Sequence, residues 1–297
     1  MKNLFKGVST VLAGALALSL TSCTPPTAST PPSESVQVAS TAESFTFMWN
    51  QPLYSLNMDT SYGNATANAI VRYFTYDSLF TYDTELNKVP NTSFGTWEKV
   101  SDDPLKAKIT IAETATWSDG TPVTPADYVL RWAAGCGQFN TLSDEEAAEY
   151  QDEDMSMQNL EGEQAYFNTG TYGFDLMKDF PEIDGNTITF TFSEQFADWE
   201  YYIDIAALPA HVVGMKALGS ADAAAGAQGV VDAFKNKDKA AIAKIANSWN
   251  NDFNMTELPK DDSILVSSGP YVISEYAKGS SITLTQNENY KGEHAAP

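Results

Sequence analysis

The residue with the clearest chemistry in this sequence is Cys23. It follows a basic start with Lys2 and Lys6, a largely apolar stretch over residues 11–20, and the small residues at 21 and 22. This order is typical of an export signal with a lipobox, in which the cysteine thiol accepts a diacylglycerol through a thioether. We therefore predict that residues 1–22 are a lipoprotein signal peptide and that Cys23 becomes the lipidated first residue of the mature chain.

A lipid-anchored protein and one with a membrane-spanning helix differ in the length of their apolar segment. The apolar stretch before Cys23 is shorter than the roughly 20 residues that cross a bilayer, whereas the acyl chains of a lipoprotein hold a protein firmly at the membrane surface. We expect an extracytoplasmic chain that is lipid-anchored to a bacterial membrane. The alternative is that Cys23 is an ordinary cysteine just past a signal peptide.

Catalytic chemistry has little support in the remaining residues. Cys136 is the only other cysteine, and the two histidines, His211 and His294, are far from it in sequence. The sequence also lacks a G-x-S-x-G element, a P-loop and a zinc-spaced His/Cys set. We predict a protein that is not an enzyme and needs neither cofactor nor metal, with Cys136 buried as a small apolar residue. A secreted hydrolase with two positioned carboxylates is the enzymatic alternative.

The charge balance excludes nucleic acid as a partner. The formal net charge is −22, and removal of residues 1–22 takes away two lysines and no acidic residue. Nucleic-acid binding depends on neutralisation of phosphates by lysine and arginine, so such a surface repels it. The acidic runs at 144–146 and 152–154 are most simply solvated faces, because the first lacks alternating ligand spacing and neither has the glycine turn of an EF-hand loop.

The first part of the mature chain changes composition at about residue 44. Residues 23–43 are rich in Thr, Pro, Ser and Ala, which predicts a disordered tether. The alternating run over 45–49 predicts a strand. Asn64 is a candidate cap for a helix in which Ile70, Val71 and Phe74 have helical spacing and which continues through 77–79.

Alternation and turn residues predict the later elements. Residues 105–111 alternate as a half-buried strand after a turn at 102–104, and a second turn at 184–186 precedes an alternating run over 188–192. Two amphipathic helices are predicted within 221–249, followed by strands at 271–276 and 281–285. Residues 138–184 form an irregular acidic and aromatic region whose pattern assigns no particular helix or strand. Mixed strands and helices in this order indicate an α/β or α+β protein.

The segment 117–128 has a local structure that its residues specify. Asp119 and Gly120 predict a turn in which glycine supplies positive φ. Thr124 then has the position of an N-cap, Pro125 that of N1 and Asp127 that of N3 in a capping box. The helix that follows would direct Val129 and Trp132 into the core.

This segment resembles the signature region of the family 5 extracellular solute-binding proteins, the oligopeptide- and dipeptide-binding group of ABC importers. Four further segments resemble the family in family order, at 76–79, 208–213, 268–271 and 286–290. The resemblance covers essentially the whole chain from Phe45. Family members usually run to about 500 residues or more, with a second lobe inserted after the region that ends this sequence.

The resemblance implies an α/β, type II periplasmic-binding-protein-like fold, here an incomplete bilobed architecture with an inserted small domain. It places a first part of the large lobe at 44–64, the small inserted domain at 65–184 and the return of the large lobe at 185–297, with the second lobe missing. The implied function is delivery of an oligopeptide or similar small solute to ABC permease subunits. A truncated surface or sensory lipoprotein without a transport role is the alternative.

The resemblance also suggests where a ligand would bind. Family ligands lie near the large-lobe stretch after the first strand, which corresponds here to Asn50, Gln51, Leu53 and Tyr54. We expect amide hydrogen bonds from Asn50 and Gln51, a ring face and hydroxyl from Tyr54, and backbone pairing near Leu53. The alternative is a strand-edge loop with ordinary polar exposure.

Two other features have both a functional and a structural interpretation. Trp199, Tyr201 and Tyr202 form an aromatic cluster suited to stacking on a sugar or an apolar side chain, although aromatics at helical spacing are more often core residues. His211 lies in a family-like segment, and a single histidine there favours a structural role over metal binding.

Overall fold

The computed structural model describes residues 44, 46–204, 206–260 and 262–292. The predicted signal peptide at 1–22, the lipidation site Cys23 and the remainder of the tether to residue 43 lie outside these ranges. Among the described residues, no helix combines the length and the apolar character required to cross a bilayer.

The described chain alternates short sheets with helices, in a mixed α/β arrangement. The strands are β1 Phe80–Tyr82, β2 Lys88–Pro90, β3 Gly95–Asp102, β4 Leu105–Ile111, β5 Glu182–Asp184, β6 Thr187–Thr191, β7 Tyr271–Ala277 and β8 Ser281–Gln286. The helices are α1 Thr66–Thr75, α2 Pro125–Gly135, α3 Asp144–Ala148, α4 Trp199–Ile203, α5 Ala210–Leu218, α6 Ala223–Lys235 and α7 Lys239–Asn251.

A four-stranded antiparallel sheet has the order β3-β4-β6-β5. In β4 the odd-numbered side chains from Leu105 to Ile111 are buried and the even-numbered ones are half-exposed. The strand predicted at 105–111 is therefore confirmed, as is the strand that follows the turn at 184–186. Central strands with one buried face need this strict alternation, because side chains on a strand point to opposite sides in turn.

The same sheet joins residues on both sides of the predicted domain boundary at 184/185. Within the hairpin β5–β6, Asp184 pairs with Thr187, and β6 in turn pairs with β4, where Ile188 lies opposite Ile109. The described residues from 44 onward pack as one compact unit. The division into 44–64, 65–184 and 185–297 stays a prediction.

The strand predicted at 45–49 is wrong for its described part. Residues 46–49 have no strand conformation, and the side chains of Phe47, Met48 and Trp49 are 51%, 93% and 52% exposed. Alternation specifies two faces, but a strand also needs a neighbour to pair its backbone groups. No strand of the described ranges pairs with residues 46–49, so these large apolar side chains remain at the surface.

The first helix is shorter than its predicted extent. α1 begins after Ala65, which is the N-cap, and ends at Thr75, because Tyr76 has an extended backbone. Asn64 is thus not the cap, and 77–79 are not helical. The Asp77 carboxylate instead accepts hydrogen bonds from Asn91 Nδ2 at 2.6 Å and Tyr290 Oη at 3.0 Å, which ties the end of α1 to distant parts of the chain.

The capping box that precedes α2 is confirmed. Thr124 is the N-cap, Pro125 begins the helix, and Asp127 Oδ2 accepts the backbone N–H of Thr124 at 2.7 Å. Gly120 has a φ of +86°, as its turn requires. The predicted core residues Val129 and Trp132 are buried.

The two amphipathic helices predicted within 221–249 are also confirmed, as α6 and α7. Asp222 and Asp238 cap them through side chains that accept the N–H groups of Ala225 and Ala241. Together with α5 they form a helical layer against which α2 packs. The strands predicted near 271–276 and 281–285 correspond to the antiparallel pair β7 and β8.

Asp127→Ala tests how far the fold depends on this one carboxylate. Asp127 is 1% exposed, and its two oxygens accept the N–H groups of Thr124 and Ala210, each at 2.7 Å. Loss of both acceptors leaves buried donors unpaired, so we expect a loss of about 3 kcal/mol in unfolding free energy, measured by urea denaturation.

The matched control is Glu146→Ala. Glu146 occupies the same N3 position in the capping box of α3 but is exposed, so its loss should be much smaller. Equal effects of the two substitutions would show that the burial of Asp127 contributes nothing.

Candidate functional site

A cavity of about 890 Å³ lies between α1, α2, α4 and β7. This volume is within the range of about 300–1,000 Å³ that holds small molecules. Seven aromatic residues contribute to its walls: Tyr73, Phe74, Tyr76, Phe174, Tyr201, Tyr202 and Tyr271. Such a lining offers ring faces and edges to an apolar body and hydroxyl groups to polar atoms.

Five charged residues also line this cavity, and three of them, Asp59, Arg72 and Arg131, form a cluster. Asp59 Oδ2 lies 3.6 Å from Arg72 Nη1 and 3.3 Å from Arg131 Nε, so one carboxylate lies between two guanidinium groups. The side chains of Arg72, Arg131 and Asp59 are 10%, 16% and 20% exposed. Two buried cations sharing one anion leave an excess of one positive charge in this cluster.

The pKa values of the cluster follow from burial and from the paired charges. Burial raises the pKa of Asp59, whereas the nearby guanidinium groups of Arg131 and Arg72 lower it. Their combined effect is the larger one, so the pKa of Asp59 is below its ordinary value. Burial lowers the pKa of Arg131, and Asp59 opposes that shift. An arginine remains charged in proteins, so the cluster is fully ionised at neutral pH.

Aromatic rings hold both guanidinium groups in place. The guanidinium carbon of Arg131 lies 4.0 Å from the ring centroid of Phe174, and that of Arg72 lies 4.9 Å from the centroid of Tyr76. Both distances are within the range of cation–π attraction. The arginines are therefore restrained on one side by a ring and on the other by Asp59.

Two glycines permit these rings to approach. A Cβ atom on Gly135, at the end of α2, would lie 2.6 Å from Phe174 Cγ. A Cβ atom on Gly173, which has a φ of +80°, would lie 2.6 Å from Tyr202 Cε1. Only glycine at these positions lets Phe174 and Tyr202 take their places in the wall of the cavity.

The segments that carry the family resemblance form a hydrogen-bonded frame around this cavity. Ser118 N–H donates to Ser267 O at 2.7 Å, and Asn289 Nδ2 donates to Ser118 O at 2.7 Å. Asn287 Nδ2 donates to Gly269 O at 2.8 Å, and Gly269 N–H donates to Thr75 O at 2.9 Å. These segments position α1 and α2, which supply the two arginines.

His211 belongs to that frame. Its Nε2 lies 2.9 Å from Asp119 Oδ2, and the histidine is buried. Burial raises the pKa of Asp119, but hydrogen bonds from His211 and Thr121 lower it more, to below its ordinary value. A buried histidine paired with Asp119 is what a structural role for His211 predicts. No cluster of three potential metal-ligating side chains occurs among the described residues.

Cys136 is confirmed as a buried residue at the end of α2. Burial raises the pKa of its thiol to about 11. The thiol is therefore protonated at neutral pH.

The predicted ligand residues lie outside the cavity. Asn50 and Gln51 are exposed, Tyr54 is half-buried and Leu53 is 1% exposed. The fold already uses the backbone here: Leu53 O accepts from Tyr276 Oη at 2.6 Å, Tyr54 N–H donates to Asn68 Oδ1 and Tyr54 O accepts from the N–H of Met255. Their role in ligand binding stays a prediction.

The aromatic cluster at 199–202 divides between wall and core. Tyr201, which is 58% exposed, and Tyr202 line the cavity, whereas Trp199 packs against the core. The hydroxyl groups of Tyr201 and Tyr82 lie 2.6 Å apart.

Sequence reasoning missed Arg72 and Arg131. One signal was present, because these are the two arginines of the whole sequence, and each lies within an apolar helical pattern.

Comparison with known proteins identifies a matching family and similar lipoproteins. A family model described as bacterial extracellular solute-binding proteins, family 5 Middle, matches residues 89–297. Uncharacterized lipoproteins of Mycobacterium tuberculosis strain H37Rv and Mycobacterium leprae are each 24% identical, over 86% and 85% of this chain respectively. The chain spans 41% and 40% of the length of these two curated relatives.

Among solved structures, the periplasmic EDTA-binding protein EppA is similar to this chain, with a TM-score of 0.58 and 23% identity. The similarity covers 82% of this chain and 36% of EppA. It confirms the α/β, type II periplasmic-binding-protein-like fold that the sequence predicts.

Asp59→Ala tests whether the charged cluster is held together by its single anion. Removal of the carboxylate leaves two guanidinium groups close together and without a counter-ion. Because the three side chains retain some contact with solvent, we expect a moderate loss of about 2 kcal/mol in unfolding free energy, measured by urea denaturation. Asp198→Ala, at an exposed position of the same cavity, should change it little. Equal stabilities of the wild type and the Asp59 variant would contradict this account.

Proposed function

The chain belongs to the family 5 bacterial extracellular solute-binding proteins, and from that premise we propose that it captures a small solute reversibly in the cavity between α1, α2 and α4. Capture involves no chemical conversion. The observation that supports this most directly is the coincidence, in one cavity, of an aromatic lining with a charged cluster that has an excess positive charge.

The solute is a peptide or a molecule of similar size. The aromatic rings contribute binding energy through burial of apolar surface and through ring contacts, while the charged cluster orients the ligand. Solutes that differ in side-chain detail fit such a site, because rings accept many apolar shapes. The partners of the loaded protein are ABC permease subunits, which receive the solute for import.

The protein acts outside the cytoplasm, held to the membrane through lipid on Cys23. The basic start, the apolar stretch and the cysteine that follows it support this placement, and the curated relatives are named lipoproteins. The tether at 23–43 would let the binding portion move above the lipid surface.

A calorimetric titration tests solute capture. We expect a panel of unmodified tripeptides, with apolar and aromatic side chains, to bind the purified protein with measurable heat. Tyr201→Ala removes an exposed ring of the cavity wall and should weaken binding by about fivefold to tenfold, equivalent to about 1 kcal/mol.

Val100→Ala is the matched control, because Val100 is a similarly exposed apolar residue on β3, away from the cavity. It should leave the affinity unchanged. Absence of heat across the tripeptide panel would count against a peptide as the solute, and unchanged affinity in the Tyr201 variant would place binding elsewhere.

Membrane fractionation of cells that express the chain tests the anchor. Cys23→Ser removes the acceptor thiol, so we expect this variant to lose incorporation of an alkyne fatty acid and to leave the membrane fraction. Cys136→Ala removes the other cysteine, which is buried, and should keep both properties. Membrane association of the Cys23 variant equal to that of the wild type would rule out this anchor.

A further inference from the structure

The chain contains few arginines, and they lie together in the structure. Of 297 residues, two are arginines, and α1 and α2 bring both of them to the same carboxylate, Asp59. Fifteen lysines supply the remaining basic side chains, so a need for positive charge alone does not explain this placement. Arginine differs from lysine in its planar fork of donors, which matches a carboxylate through two parallel hydrogen bonds.

Several of these donors make no hydrogen bond. Asp59 Oδ2 is a buried acceptor that makes no hydrogen bond, although it is ion-paired with both arginines. Four donor groups, Arg72 Nε, Arg72 Nη1, Arg131 Nη1 and the Tyr76 hydroxyl, are also buried and make no hydrogen bond to the described residues. All four groups line the cavity or belong to residues that do. Buried polar groups in native proteins are nearly always paired, so this collection of donors indicates a ligand that supplies acceptors.

The other carboxylates at the cavity do not serve these donors. Asp77 accepts hydrogen bonds from Asn91, Ser78 and Tyr290. Asp198 is exposed and forms no ion pair with either arginine among the described contacts. Asp59 lies close to both arginines, but its single negative charge neutralises one of the two positive charges.

We propose that Arg72 and Arg131, with the Tyr76 hydroxyl, form a subsite that binds a carboxylate group of the solute, which makes the substrate class of this protein carboxylate-bearing molecules with an apolar or aromatic body. This inference rests on the proposed function. The residual charge of one matches a monoanionic carboxylate, whereas a dianionic phosphate would leave the site with excess negative charge. The surrounding rings accept the rest of the ligand.

The small number of arginines makes a direct measurement possible. In protein labelled with ¹⁵N on arginine, the Nε–Hε region of the spectrum contains two signals, and both belong to this cavity. The probes are the tripeptide Ala-Phe-Ala and its C-terminal carboxamide, which differ in the carboxylate alone. Both are titrated under the same conditions, with calorimetry in parallel, and inorganic phosphate is added as a third probe.

We expect the free acid to shift both arginine signals and the carboxamide to shift neither at the same concentration. Equal binding of both peptides, or binding of the acid without movement of the arginine signals, overturns the carboxylate subsite and leaves solute capture intact. A stronger response to phosphate than to the acid assigns the subsite to phosphate and overturns the proposal. Absence of binding by both peptides counts against the proposed capture of peptides and against this subsite with it.

A charge-neutral variant gives an independent measure. Arg72→Gln should weaken binding of the free acid by about tenfold to hundredfold and bring it to the level of the carboxamide, as loss of a charge-assisted hydrogen bond predicts. Lys178→Gln removes the same charge from an exposed position outside the cavity and should change neither affinity. Retained preference for the acid in the Arg72 variant would refute the assignment, and the wild-type spectra decide the question if that variant does not fold.

Discussion

The buried carboxylate of Asp127 is the interaction on which the arrangement around the cavity depends. One oxygen accepts the N–H of Thr124 and so begins α2, while the other accepts the N–H of Ala210 and so fixes the start of α5. Burial raises the pKa of this group although its hydrogen bonds lower it. Because Arg131 lies one turn further along α2, the position of its guanidinium group relative to Asp59 follows from where Asp127 begins that helix.

Polar side chains of the frame are hydrogen-bonded within the chain, whereas several at the cavity are not. In the frame, the side chains of Asp77, His211 and Asn287 all have hydrogen-bond partners within the chain. In the cavity, Arg72 Nε, Arg72 Nη1 and Arg131 Nη1 make no hydrogen bond to the described residues. A buried donor without a partner costs free energy in the unliganded protein, and that cost becomes affinity when a ligand supplies the missing acceptor. The hydrogen-bonded frame fixes α1 and α2, and with them the two arginines at the cavity.

Features formed by residues close together in the sequence could be predicted, whereas those formed by distant residues could not. The capping box at Thr124, the strand at 105–111 and the amphipathic helices α6 and α7 depend on neighbours a few residues away, and their patterns predicted them. The strand expected at 45–49 failed because alternation does not specify a pairing partner. The cavity joins Asp59, Arg72 and Arg131 through tertiary packing, which no local pattern encodes. The scarcity of arginine was present in the sequence as a signal, but it does not specify that the two arginines share one carboxylate.

Gly135 and Gly173 lie behind the wall of the cavity and influence its size, although they are not lining residues. A methyl group on Gly135 would push Phe174, and one on Gly173 would push Tyr202, although neither glycine lines the cavity itself. Two proteins of this type with identical lining residues can therefore hold ligands of different bulk. Substitutions at Gly135 and Gly173 therefore change the space available to a ligand, and an inspection of the lining residues alone would overlook them.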